Sequence, residues 1–176
     1  MGEYQHITHE SIEPFINDDS EVLILGSFPS VKTREVGFYY GHPQNRFYKV
    51  LSNVFNEPLP TSIEQKKEIL AKHHIALYDV IYSCDISNSE DSSIRNVTPI
   101  NIKELLDKFP NINRIIVNGN KAKELFNKYL LKDIDTYRIN VKFAPSTSSA
   151  NAKMLLEQLV KIYSKYIVEL FSIKNS

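Results

Sequence analysis

An α/β fold built on a parallel sheet is the class this sequence predicts, and three observations predict it. Short apolar runs of strand length alternate with segments of helical periodicity, the order expected of βαβ units. Two of these runs, Val22-Leu23-Ile24-Leu25 and Arg114-Ile115-Ile116-Val117-Asn118, read as buried strands. A chain of 176 residues with 42% hydrophobic residues is long enough for one good core and too short to argue for two, so residues 1–176 are expected to form a single domain.

The elements follow in order. Residues 22–25 form the first strand. Residues 45–55 carry Phe47, Val50, Leu51, Val54 and Phe55 on one face at helical spacing. Thr61 with Glu64, or Ser62 with Gln65, offers a capping box for a helix running to about Lys72. Residues 75–80 are the second strand. The polar stretch 83–98 has no periodicity and is long for a loop in a compact domain, which makes it a candidate functional loop. Asn101 caps a helix through Phe109, and 114–118 is the third strand, ending at Gly119. Residues 121–131 are helical and 137–144 form the fourth strand. A polar run, 145–149, then leads into a final helix from about Ala150, where Leu155, Leu159, Ile162, Tyr166 and Leu170 recur every three or four residues.

Charge is balanced in total and uneven along the chain. Lys plus Arg and Asp plus Glu both number 21, so the total promises no long-range attraction to a polyanion. No Lys or Arg precedes Lys32, whereas Glu3, Glu10, Glu13, Asp18, Asp19 and Glu21 make the start acidic. Lys32, Arg34, Arg46 and Lys49, with only Glu35 against them, then form a basic rim that can hold phosphates, although by itself such a run reads more readily as a solvated face. The single cysteine, Cys84, excludes an internal disulfide framework, and neither a leader nor a bilayer-length apolar run is present, so a cytoplasmic setting is expected.

Several chemistries lack their residues. Neither glycine-rich phosphate cradle occurs, which argues against a cofactor-dependent oxidoreductase. Gly26-Ser27 has no second glycine in register for a nucleophile elbow, so Ser27 reads as a turn residue. Neighbouring His73 and His74 do not face one another on a helix, which makes a metal pair improbable, and one cysteine cannot ligate an iron–sulfur cluster. Cys84 beside Asp85 reads as a small buried residue.

Ligands of open α/β sheets bind beyond the carboxyl ends of the strands. The loops after the first and fourth strands leave the same edge of the sheet, and they are expected to face each other. The first supplies Phe28, Tyr39, Tyr40, His42, Asn45 and Phe47, with Phe47 assigned to the core. Successive side chains of an extended segment alternate faces, so Tyr39 and Tyr40 cannot both turn inwards and at least one ring is open to a ligand. A ring for stacking beside an amide suits a planar base, and enzymes acting on a base in DNA flip it into such a pocket.

The residues Gly26-Ser27-Phe28-Pro29 and Tyr39-Tyr40-Gly41-His42-Pro43-Gln44-Asn45-Arg46-Phe47 resemble the first motif of the uracil-DNA glycosylase superfamily, most closely its hypoxanthine (deoxyinosine) branch. The likeness continues through Asp79-Val80, Ser83-Cys84, Asp91-Ser92-Ser93-Ile94-Arg95-Asn96, Asn118-Gly119-Asn120-Lys121-Ala122 and Pro145-Ser146-Thr147-Ser148-Ser149-Ala150-Asn151-Ala152. Mismatch-specific uracil glycosylases carry asparagine where this chain has Phe28, and classical uracil glycosylases use an aspartate that is absent between Gly26 and Tyr40.

The resemblance implies a three-layer α/β/α sandwich around a four-stranded parallel sheet. It also implies hydrolysis of the N-glycosidic bond of a flipped deaminated base, hypoxanthine first, without cofactor or metal, on DNA as partner. Asn45 is the implied catalytic residue, orienting water or the base edge. Gly26, Ser27, Phe28, Tyr40 and His42 are implied in base binding, with Tyr40 stacking on the base and His42 more a support for the loop. Pro145, Ser146, Thr147, Ser148, Ser149 and Asn151 are implied in DNA binding, and the serines also suit the cap of the last helix. A uracil or mismatch specificity, or a non-catalytic nucleic-acid or nucleobase-binding module on the same fold, are the alternatives.

Overall fold

The computed structural model describes residues 3–87 and 93–169. Four parallel strands, β2 (Val22–Gly26), β3 (Ile75–Asp79), β6 (Arg114–Asn118) and β7 (Asn140–Ala144), form one sheet in the order β3-β2-β6-β7. Their register runs Val22–Ile75, Val22–Arg114 and Arg114–Asn140, so all four carboxyl ends lie along one edge.

Side-chain alternation along β2 divides the core. Leu23 and Leu25 pack with Ile115 and Val117 against α4 (Ile102–Lys108) and α5 (Asn120–Tyr129), through Ile102, Leu106, Ala122, Leu125 and Phe126. Val22 and Ile24 pack with Ile116 on the opposite face, against Val50 and Leu51 of α2 (Phe47–Phe55), Ile69 and Leu70 of α3 (Ile63–Lys72), and Leu159 and Tyr163 of α6 (Leu156–Ser164). This is the three-layer α/β/α sandwich that the sequence predicts. Its caps form as expected: Ser62 accepts from Gln65 N and Asn101 from Glu104 N, each filling a helix-start donor.

Four elements differ from the sequence reading. The stretch 83–98 is not one aperiodic loop. β4 (Ile81–Ile86) and β5 (Arg95–Pro99) pair antiparallel there, and β1 (Gln5–Thr8) adds on the other side of β4 to give a second sheet, β1-β4-β5. Asp91 and Ser92, at the start of the motif that runs to Asn96, lie outside the described residues. The fourth strand begins at Asn140, and Tyr137 before it is fully exposed. The last α-helix begins at Leu156, and Leu155, its N-cap, is 55% exposed. Its most buried positions are Leu159, Tyr163 and Ile167, with the expected Ile162 and Tyr166 partly buried beside them; Leu170 lies outside the described residues. Finally, α1 (Val31–Val36) interrupts the first loop, capped by Ser30 and ended by Gly37 at φ 86°, a left-handed position that glycine tolerates. Among the described residues, no helix is long and apolar enough to cross a membrane.

Candidate active site

All four strands of the parallel sheet deliver their last residue, Gly26, Asp79, Asn118 and Ala144, to a cavity of about 780 Å³. The loops after β2 and β7 close its sides, facing each other as the sequence predicts: Arg46 N donates to Thr147 O at 3.0 Å. The Arg46 guanidinium donates to the carbonyls of Asn151 and Met154, so this rim cation ties the two loops together.

Asn45 sits half-buried between the loops, at the end of a turn closed by its own N–H on His42 O. Its Oδ1 accepts from Phe47 N at 3.0 Å and from the Thr147 hydroxyl at 2.9 Å. Two donors on that oxygen fix the orientation of the carboxamide. Nδ2 is left without an acceptor among the described residues and is the group that Asn45 can offer to a ligand.

Thr147 is fully buried and works inward. Its hydroxyl also accepts from Asn118 Nδ2 at 3.1 Å, while Asn118 Oδ1 accepts from Thr147 N at 3.1 Å. Of the other loop residues assigned to DNA, Ser146 Oγ accepts from Ser148 N and Ser148 Oγ from Ala150 N, and Asn151 Nδ2 donates to Ser146 O. Pro145 O accepts from the buried Tyr163 hydroxyl. Ser149 opens the short 3-10 turn Ser149–Asn151, where the sequence reading had placed the last helix. The exposed His42 accepts from Gln44 N through Nδ1, supporting its turn.

Tyr39 is buried with its hydroxyl on Glu13 O, whereas Tyr40 is half-buried and lines the cavity. One ring is open, as expected, but alternation is not the cause: Tyr40 has φ 55° and turns the chain out of an extended path. One face of Tyr40 is stacked on Phe47 at 4.0 Å, so stacking on a base is restricted to the other face. Its buried hydroxyl lies near Asn118 and Asp79 and makes no hydrogen bond of good geometry; burial first, and then the Asp79 charge, push its pKa far up, which keeps the phenol protonated.

Asp79 and Asn118 are cavity residues that the sequence reading left out of its site, although both stand in its motifs. Asp79 Oδ2 accepts from His9 Nε2 at 2.8 Å, and His9 Nδ1 donates to Ile12 O at 2.6 Å. Both groups are buried. Burial alone would lower the His9 pKa, but the hydrogen bond and charge of Asp79, with the Ile12 carbonyl, outweigh it and raise the value. Gly26 makes room for the carboxylate, since a Cβ there would stand 2.5 Å from Asp79 Oδ1. Ser27 O accepts from Ile81 N, and Phe28 meets the His9 ring edge-on at 6.2 Å.

Comparison with known proteins fits this geometry. Residues 13–168 match the family model of the uracil DNA glycosylase superfamily. A hypoxanthine DNA glycosylase of Methanosarcina acetivorans is 32% identical over 139 residues, covering 78% of this chain and 85% of that protein. Another, of Methanosarcina barkeri, is 31% identical over 116 residues, covering 65% and 73%. The solution NMR structure of a candidate uracil DNA glycosylase from Methanosarcina acetivorans superimposes with a TM-score of 0.73 at 26% identity, covering 88% of this chain and 96% of that one. With a family model matched over most of its length, and the cavity at the strand ends where its motifs converge, this chain belongs to the uracil DNA glycosylase superfamily.

Proposed function

We propose that this protein is a DNA repair glycosylase that hydrolyses the N-glycosidic bond of a flipped, deaminated deoxynucleotide, with deoxyinosine as the leading substrate. The observation that carries the reading is the Asn45 carboxamide, held by Phe47 N and Thr147 at the mouth of the cavity with its Nδ2 free to donate. The two relatives named hypoxanthine DNA glycosylase support the choice of base.

The bond breaks through an oxocarbenium-like sugar as electrons move onto the departing base, so a fixed donor at the base or at the incoming water lowers the barrier. A carboxamide does not ionise near neutrality, so Asn45 orients and donates without removing a proton. Tyr40 walls the base, and the loop 145–151, with its serines and backbone N–H groups, approaches the phosphates. Fixing that loop through Arg46 and Thr147 sets the sugar relative to Asn45 in advance, which is how positioning contributes to rate.

The test is base release from matched duplexes containing one deoxyinosine or one deoxyuridine, with Asn45→Ala as control. Release of hypoxanthine, lost in the variant, is expected. Preferential release of uracil would move the protein to another branch. Release from neither substrate across several salt concentrations would point to a binding module, whose DNA affinity should still fall steeply with salt.

A further inference from the structure

One acceptor in the cavity, Asp79 Oδ1, has no donor among the described residues. Asp79 Oδ2 is held by His9 Nε2 at 2.8 Å, and His9 is fixed in turn through Nδ1 on Ile12 O at 2.6 Å. Both nitrogens of His9 face acceptors, and its ring is packed against Tyr78 at 4.9 Å, Tyr39 at 6.0 Å and Phe28 at 6.2 Å, so neither His9 nor the carboxylate can turn freely. Asp79 Oδ1 therefore lies over Gly26 on the cavity floor, accepting from no described residue. The Tyr40 hydroxyl, buried and also unmatched, lies over the same glycine. The two do not bond to each other, and a carboxylate oxygen facing the cavity favours a ligand that supplies its missing donor.

Deamination creates the complement. In adenine the ring nitrogen beside the exocyclic amine is a lone-pair acceptor; in hypoxanthine it is an N–H donor beside a carbonyl oxygen, and the cytosine-to-uracil change has the same effect. We propose that Asp79 Oδ1, immobilised by His9, accepts from the ring N–H of the deaminated base. The carboxylate discriminates against the parent bases, because adenine or cytosine would set a lone pair against it; guanine and thymine carry the same N–H and are not rejected by this contact. A site built to bond an N–H rejects analogues that lack it far more strongly than an apolar pocket rejects extra bulk. This inference rests on the glycosylase reading above and adds the means of telling a deaminated base from its parent adenine or cytosine.

The experiment compares release from duplexes carrying deoxyinosine or 1-methyldeoxyinosine, in which a methyl replaces the N–H. Wild type is expected to release the methylated base at least about tenfold more slowly. Asp79→Leu keeps comparable bulk without an acceptor and Asp79→Ala removes the bulk; in both, release of hypoxanthine should fall and the methyl penalty should shrink towards unity. Circular dichroism melts establish that each variant folds, and if neither does, the wild-type ratio decides. Equal release of both bases by wild type, or a penalty undiminished in a folded variant, would overturn the role of Asp79 and leave the glycosylase reading intact. Release of no base by wild type, with deoxyuridine also tested, would overturn both.

Discussion

Two walls of the cavity solve opposite problems. On one side Asn45, Thr147 and Asn118 form a neutral network in which each side-chain oxygen has a donor, with Asn45 Nδ2 turned outward. On the other, His9, Asp79 and Tyr40 form a charged, ring-enclosed cluster that leaves an acceptor and a hydroxyl unmatched. A saturated network has one arrangement, so it suits orientation of a reacting group. An unsaturated one discriminates, because a ligand is strongly favoured only when it supplies the missing partners.

The largest effect should come from breaking the neutral wall at its outward group. Asn45→Ala is expected to slow single-turnover base release by on the order of 10²–10³-fold, as for loss of one transition-state donor, while gel-shift affinity for DNA is mostly kept. Undiminished release would remove Asn45 from the chemistry.

Gly26→Ala attacks the charged wall alone. Its methyl would stand 2.5 Å from Asp79 Oδ1, and the displaced carboxylate should lower stability by roughly 1–3 kcal/mol in chemical denaturation, with base release falling alongside. An unchanged denaturation midpoint would mean that the carboxylate is freer than its contact with His9 implies. Tyr40→Ala should weaken capture of the base by roughly 1–3 kcal/mol, seen as a higher enzyme concentration for half-maximal release. Normal kinetics there would assign the base contact to another ring.

Thr147→Val sharpens the comparison, since it keeps shape and removes the hydroxyl that joins Asn118 to Asn45. A loss of about 1 kcal/mol, or roughly fivefold in release, is expected, well short of Asn45→Ala because Phe47 N still holds the carboxamide. An effect equal to that of Asn45→Ala would show that the strut alone positions the amide.

The smallest effect is a pH slope confined to the charged wall. His9 has its pKa raised in the folded protein, so its contribution to stability is fully present below about 6.5 and is lost as pH rises through the higher folded value. The difference in melting temperature between wild type and His9→Gln should accordingly be widest in mild acid and narrow towards alkaline pH. A difference independent of pH would mean that packing of the ring, and not its charge, is what matters.

The neutral wall was largely legible in the sequence. Asn45 and Thr147 lie within continuous motifs, on loops that pattern places at one sheet edge. Thr147, which the resemblance implies in DNA binding, is buried in this structure with its hydroxyl bracing the Asn45 amide. Asp79 stands in a motif that implies no role for it, and His9 lies in an N-terminal segment to which the sequence assigns none.

The sequence by itself determined the four parallel strands, the caps at Ser62 and Asn101, and the two loops that meet, because apolar periodicity, capping and turn chemistry act between near neighbours. Only the tertiary structure decided the antiparallel sheet β1-β4-β5, the start of α6 and the charged wall. The His9–Asp79 contact spans 70 residues and the Thr147–Asn45 contact 102. A hydrogen bond between such distant positions depends on where packed layers bring the chain, and local residue order carries no period that announces it.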